Sequence, residues 1–304
     1  MMLKLESLDR CPICEGTDLQ HLLVAPDHES HTGDYSIDEC RTCRVAFTNP
    51  RPLEEDLPKL YAQRSTADFP RTDGAVQWMR DFSIDRYLVK QLGTSLNGKS
   101  KVFEALDYGC GDGALARALI RHSARYDARV RVTAVDFHER APPALSSDAS
   151  DIIYKPSRTW YARPGRYDAI FLRHVLEHHP QPLRLLGDLA ATLVPGGRLF
   201  IEVPNRRSVW AWVFGRYYFG YYVPRHLFHF DRLSLGGALR DAGFREVDVS
   251  LAHTPLIGHS LGYLMRANIS NTGLLGLATY PLQVGADVLS GRSTTLRAIA
   301  GGHG

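Results

Sequence analysis

A chain of 304 residues, 44% hydrophobic and 23% charged, has the composition of a globular protein with room for one large domain and a small one. It has no run of about 18 uncharged apolar residues, and the charged start Met1–Arg10 lacks the apolar stretch of a signal peptide. The expectation is therefore a cytoplasmic protein with no membrane span and with reduced thiols. The net charge of +3 is uneven, because residues 1–60 carry six Lys/Arg against twelve Asp/Glu, a local balance of −6 that makes this end a poor partner for nucleic acid.

Four of the five cysteines form two pairs, Cys11-x-x-Cys14 and Cys40-x-x-Cys43. Zn2+ favours four ligands in a tetrahedron, and a closed set of thiolates leaves no position free for chemistry. Two matched pairs with no spare cysteine nearby favour a structural Zn2+ site over four unrelated buried cysteines or a redox pair. The spacing predicts a zinc ribbon over residues 1–52, too small to hold a core without the metal and ended by Asn49-Pro50-Arg51-Pro52. Residues 53–98 read as a helical connector in which Val76, Met79, Phe82 and Leu88 recur at near-helical spacing.

From residue 99 to 304 strands and helices alternate. Val102–Asp107, Val130–Asp136, Asp151–Tyr154, Asp168–Leu172, Arg198–Val203, Glu246–Leu251 and Thr294–Ala300 read as strands. Ala114–His122, Leu183–Leu193 and Leu233–Ala242 read as helices, the second stopped by Pro195-Gly196-Gly197 and the third capped by Gly243. Such alternation implies an α/β fold with a parallel sheet covered on both faces. Insertions at about 205–232 and 254–293 are expected to shape an acceptor pocket, and the apolar second one (Leu274, Leu275, Leu277, Leu282, Val284) also fits a homodimer contact.

Between the first strand and first helix lies Leu106-Asp107-Tyr108-Gly109-Cys110-Gly111-Asp112-Gly113, where glycines let the backbone approach a ligand and the helix start offers free N–H groups. Gly109-x-Gly111-x-x-Ala114, with Asp136 further on, also satisfies a dinucleotide fingerprint, so an NAD-binding oxidoreductase stays in view. Asp107 weighs against it, since a carboxylate there repels a pyrophosphate but holds an ammonium. Downstream stand Tyr167-Asp168-Ala169-Ile170, His174-Val175-Leu176-Glu177-His178 and Pro195-Gly196-Gly197.

In that order these segments resemble class I S-adenosylmethionine-dependent methyltransferases over about residues 100–252. The cysteine pairs with Asn49-Pro50-Arg51-Pro52 are similar to zinc-ribbon methyltransferases among bacterial enzymes of sugar and natural-product tailoring. The resemblance implies a Rossmann-like, doubly wound, mostly parallel seven-stranded sheet with a small N-terminal zinc ribbon. It further implies that Asp107, Gly109 and Gly111 hold the methionine end of S-adenosylmethionine and that Asp136 bonds the ribose. Cys110, Phe137 and Arg173 complete the expected cofactor-binding set, Cys110 as a small packing residue and not a nucleophile. The third strand ends in Tyr154-Lys155-Pro156 without the acidic residue such enzymes often carry there, which leaves Ser157 as the candidate for the adenine amine.

His174-x-x-Glu177-His178 also matches a metallopeptidase zinc motif, which needs a helix and a distant third ligand. Here the segment follows the fourth strand directly, so Glu177 and His178 are expected to be structural, starting and capping the next helix, with His174 facing cofactor or acceptor. Trp210–Val223 holds two Trp and five Tyr or Phe at 217–222, and it leads into Pro224-Arg225-His226-Leu227-Phe228-His229-Phe230. Histidines in an aromatic stretch suit a polar spot in an apolar pocket. His226 is the first choice of general base, His229 the second and His174 the third. The function expected is methylation of oxygen or carbon on a small-molecule acceptor (a sugar, polyketide or phenolic metabolite). An RNA methyltransferase is the first alternative, opposed by the acidic ribbon, and a non-catalytic binding protein is another.

Overall fold

In the computed structural model the described residues are 2–62, 102–124, 128–145, 151–266 and 272–302, with Ile84, Tyr87, Leu88 and Leu92. The expected connector residues Val76, Met79 and Phe82 lie outside them, whereas Leu88 is helical and buried. The chain divides into two compact units, one formed by Met1–Ser65, His174–Gly187 and Ile201–Ala300, the other by Thr66–Arg173, Asp188–Phe200 and Gly301–Gly304. Among the described residues no helix is long and apolar enough to cross a membrane.

The N-terminal strands are β1 (Leu5–Glu6), β2 (Leu19–Pro26), β3 (Asp34–Cys40), β4 (Ala46–Asn49) and β5 (Arg51–Pro52). Those that follow are β6 (Phe103–Tyr108), β7 (Val130–Asp136), β8 (Ile152–Pro156), β9 (Tyr167–Arg173), β10 (Leu193–Pro204), β11 (Phe228–His229), β12 (Glu246–Ala252) and β13 (Thr295–Gly301). Seven of them form a sheet in the order β12-β13-β10-β9-β6-β7-β8. The pairings of β6 with β7 and β9, and of β7 with β8, are parallel. This is the expected α/β Rossmann-like architecture. Its central strands read as near-continuous apolar runs because a parallel sheet is buried on both faces.

Two boundaries differ from the sequence reading. The helix before β10 covers Pro182–Ala190, and β10 begins at Leu193, so Pro195-Gly196-Gly197 falls within the strand that it was expected to precede. A left-handed Gly196 (φ 79°) lets the chain turn there without leaving the extended run.

β2, β3 and β4 form an antiparallel sheet that continues onto β11, with Phe228 opposite Phe47 and His229 opposite Ala46. β3 alternates sides along its length, and the inward residues Tyr35 and Ile37 are buried. With Ala25 and Ala46 they pack on Ala211, Tyr218, Tyr221 and Val223. Much of the aromatic stretch therefore forms core for the cysteine-bearing sheet. Arg206, itself buried, clamps that sheet by pairing with Glu39 on β3 and, at 2.8 Å, with Asp231, the capping residue of the helix Arg232–Asp241.

Phe228 is 1% exposed and Trp212 82%. Phe228→Ala should cost about 3–5 kcal/mol in denaturant unfolding, and Trp212→Ala within about 0.5 kcal/mol. Equal losses would contradict the placement of β11 in the core.

Candidate active site

The two cysteine turns repeat each other bond for bond. In the first, the Glu15 N–H donates to the Cys11 carbonyl and the Cys11 N–H to the Gly16 carbonyl, both at 2.9 Å. In the second, the Arg44 N–H donates to the Cys40 carbonyl at 2.8 Å and the Cys40 N–H to the Val45 carbonyl at 2.9 Å. Glu15 and Arg44 close the turns in the left-handed region (φ 58° and 64°). Gly16 leaves needed room, since a Cβ there would stand 3.3 Å from Cys14 Sγ. Cys11 and Cys43 sulfurs lie 3.5 Å apart, those of Cys14 and Cys40 3.6 Å, and all four within 4.8 Å of one another. That spacing is too long for disulfides, and the four sulfurs could serve as the donors of a tetrahedral thiolate site. The contact between the two sulfurs draws the Cys11 thiol down to about 5 and pushes Cys43 up in turn.

In the second unit, β6 ends in Asp107 and Tyr108 and the chain turns through three glycines with positive φ. The Gly109 and Cys110 N–H groups both donate to the Val135 carbonyl, at 2.7 and 2.9 Å, which ties the turn to β7. Gly113 caps the following helix at φ 74°, and a Cβ there would collide with Leu145 at 2.5 Å. Asp136, at the end of β7, accepts the Gly111 N–H at 2.9 Å. Phe137 beside it is 53% exposed, an apolar ring left facing outward.

Asp107 is 3% exposed, and its Oδ2 has no hydrogen-bond partner. Burial raises its carboxyl from 3.8 to about 7, opposed by the Arg173 guanidinium and an N–H from Ala116. Asp136 is raised too, chiefly by burial, with the Gly111 N–H opposing. Arg173 ends β9 and lies over the Tyr87 ring, 5.8 Å from its centre. Cys110 is buried and its thiol pushed far up by burial, as a packing residue and not a nucleophile would be. The expected set Asp107, Gly109, Cys110, Gly111, Asp136, Phe137 and Arg173 thus lies at the carboxyl ends of β6, β7 and β9, the edge where open α/β sheets bind ligands. Ser157 opens the short helix Ser157–Ala162 directly after β8.

The first unit holds a cluster of imidazoles around one carboxylate. Glu177 lies in the single 3-10 turn Leu176–His178, is 0% exposed, and neither carboxylate oxygen has a hydrogen-bond partner. His174 Nδ1 approaches its Oε1 at 3.4 Å and His226 Nε2 at 3.9 Å. The His178 and His226 rings meet edge to face with centres 4.5 Å apart. The Leu227 N–H donates to the Glu177 carbonyl at 2.8 Å and pins the two segments together. His174 takes φ 56°, its N–H donates to the Glu202 carbonyl at 2.8 Å, and its side chain is 31% exposed. His226 is 5% exposed and gives its Nδ1–H to the Gly220 carbonyl at 2.9 Å. Burial holds both His226 and His178 below the ordinary imidazole range.

His229 stands apart from this cluster. Thr48 donates its hydroxyl to the His226 carbonyl at 2.7 Å, so the 3.0 Å contact with His229 Nε2 requires that ring to donate. Burial lowers His229 to about 3, and it sits in β11 among the ribbon strands. The sequence placed Glu177 and His178 as helix-starting residues, whereas the fold gathers them with His226. Their spacing was visible, but the third member is 48 positions further on and is brought in only by the loop ending in cis Val223-Pro224.

Residues 77–249, more than half of the chain, match the family profile described as a methyltransferase domain. Ubiquinone biosynthesis O-methyltransferase of Coxiella burnetii (strain Dugway 5J108-111) is 31% identical over 134 residues, 40% of this chain and 49% of that protein. The protein of the same description from Xanthomonas campestris pv. campestris (strain B100) is 32% identical over 158 residues, 48% of this chain and 64% of that one. The chain thus spans about half to just under two thirds of these curated relatives. Among solved structures, the [4+2]-cyclase SpnF superposes at a TM-score of 0.51 with 16% identity, over 82% of this chain and 96% of that one, a likeness of fold alone.

The raised Asp107 carboxyl carries a sign. Between its unfolded value near 3.8 and its folded value of about 7, the folded chain keeps a proton that the unfolded chain has lost. Stability should therefore fall as pH rises through that window, by at most about 1.4 kcal/mol per pH unit from this group. Asp107→Asn should flatten the fall in melts between pH 4.5 and 7.5. Parallel curves for the two proteins would remove the buried carboxylate from the account.

Proposed function

The chain belongs to the methyltransferase-domain family, and from that premise we propose that it transfers the methyl group of S-adenosylmethionine to an oxygen of a small hydroxylated acceptor. The observation that carries the cofactor reading is the buried, unpartnered Oδ2 of Asp107 beside the glycine turn. A methionyl ammonium is the complement of such an atom, and a pyrophosphate is not. Asp136, already oriented by the Gly111 N–H, is placed to accept from ribose hydroxyls, and the exposed Phe137 ring offers a flat apolar face to a base. When bound, S-adenosylmethionine supplies an electrophilic methyl carbon on a sulfonium, and the methyl group departs without the C–S bonding pair. Oxygen as the acceptor atom is favoured by the two relatives named O-methyltransferases. The acidic balance of residues 1–60 weighs against RNA as the acceptor.

An acceptor hydroxyl must lose its proton as the new bond forms, and general bases contribute about 10²–10⁴-fold to such steps. We assign this role to His174 ahead of His226. His174 has the accessible ring, and Glu177 lies 3.4 Å from its Nδ1, where its charge stabilises the imidazolium. His226 is nearly sealed, and His229 is engaged with Thr48. The four thiolates Cys11, Cys14, Cys40 and Cys43 are proposed to hold a structural Zn2+ that closes the ribbon.

Labelled methyl transfer from S-adenosylmethionine to a panel of phenols, catechols and sugars tests the reaction. His174→Gln should lower kcat by about 10²–10⁴-fold while S-adenosylhomocysteine affinity by calorimetry stays unchanged. Full turnover in that variant would exclude His174 as the base, and tight cofactor binding with no transfer to any acceptor would favour a binding protein. A thiol-blocking mercurial should release one equivalent of Zn2+ per chain and lower the melting temperature. Release of the same equivalent from Cys14→Ser would place that ion elsewhere.

A further inference from the structure

We propose that Glu177, His178 and His226 form a second metal site, distinct from the thiolates, that binds a divalent transition-metal cation through one oxygen and two nitrogens. One ligand atom from each lies within 4.8 Å of the other two. Bonds of about 2.1 Å around one ion set ligand atoms roughly 3–4 Å apart, and His226 Nε2 already stands 3.9 Å from Glu177 Oε1.

The hydrogen-bond pattern suits a cation. A carbonyl oxygen only accepts, so the Gly220 carbonyl at 2.9 Å holds a proton on His226 Nδ1 and leaves Nε2 as the nitrogen turned to Glu177. In the same way the Arg225 carbonyl, 3.0 Å from His178 Nδ1, engages that nitrogen and leaves Nε2 as the ring's ligand atom, with the Tyr61 hydroxyl also 3.0 Å from Nδ1. Glu177 adds two buried acceptor oxygens without a hydrogen-bond donor. A buried carboxylate of that kind is stabilised by a positive charge placed between it and the two rings. Imidazoles whose other nitrogen donates to a backbone carbonyl are also the arrangement that orients metal-binding histidines.

Three protein ligands leave at least one position open, as catalytic sites require and the four-thiolate site does not provide. Cation binding at these three residues does not rest on the O-methyltransferase reading.

The test uses the full-length chain with its thiolates loaded with Zn2+ and other metal removed. Mn2+ titration followed by electron paramagnetic resonance should show one further ion per chain. Glu177→Gln and His226→Gln should each weaken it by more than about 100-fold, beyond what loss of an outer-shell partner costs, with S-adenosylhomocysteine affinity retained as evidence of folding. Co2+ bound there should show the weak absorption of nitrogen and oxygen ligands, without thiolate charge-transfer bands. If the wild-type chain takes up neither Mn2+ nor Co2+ beyond the thiolate equivalent, a proton shared by Glu177 and His226 explains the cluster and the proposal falls. Undiminished affinity in both variants overturns it as well. Absence of methyl transfer with Mn2+ bound is a failure of the O-methyltransferase reading and leaves the site standing.

Discussion

A carboxylate taken out of water without a donor to replace the water destabilises a fold, and the described residues include two such groups. Asp107 keeps one oxygen unpartnered at 3% exposure, and Glu177 keeps both at 0%. Neither is explained by stability, since a buried unsatisfied acceptor costs about 1–3 kcal/mol and a charged one more. Each is held in place by backbone that cannot easily relax it. Asp107 belongs to the central strand β6, hydrogen-bonded on both sides, and Glu177 to a turn whose carbonyl is bound by the Leu227 N–H. Orphaned acceptors retained on rigid supports are receptors for positive charge, and the two belong to different compact units. One suits an ammonium of a bound cofactor. The other suits an imidazolium or a metal ion.

The cysteine-bearing sheet bears directly on the second of these. Thr48 of β4 donates to the His226 carbonyl and receives the His229 ring nitrogen, and the Thr48 N–H donates to the Leu227 carbonyl at 3.0 Å. Through those bonds the ribbon fixes the backbone that carries His226. Arg225, buried at 2%, reaches Ser30 at 2.6 Å and the Leu60 carbonyl at 3.0 Å, and Asp27 and Glu29 lie 3.7 Å from its other nitrogen. The acidic character of residues 1–60 thus has an internal use, because part of that charge neutralises a guanidinium next to the imidazole cluster.

What the sequence made legible was whatever is written locally. The Asp107–Gly113 turn, the strand ends and the cysteine pairs depend on residues a few positions apart, and the seven strands of the main sheet fall within a few residues of their expected places. The strand β11 was not legible, since two residues carry no period and Phe228 and His229 read as part of an aromatic loop. For the aromatics at 217–222 the sequence left core and pocket both open, because an apolar run does not say which surface it covers, and here Tyr218 and Tyr221 cover the ribbon. His226 was singled out correctly as a residue of interest, but its tautomer and its neighbour Glu177 come from contacts made across 40 or more positions. Glu177 was undervalued for a related reason: in sequence a glutamate near a helix start is most simply a cap, and only burial shows that it accepts nothing.

The fold by itself leaves the chemistry open, as its likeness to a [4+2]-cyclase shows. Transfer of methyl to a hydroxyl, the reaction proposed above, needs a proton acceptor, because the attacking oxygen must shed its proton in the same step. His174, the proposed acceptor, has a partly exposed ring, a left-handed backbone held by the Glu202 carbonyl, and Glu177 at 3.4 Å. A non-glycine residue in that backbone region costs about 1–3 kcal/mol and persists only where its surroundings enforce it. The enforcement here comes from the His174 N–H, which donates to the Glu202 carbonyl at 2.8 Å and fixes the backbone from which the ring projects.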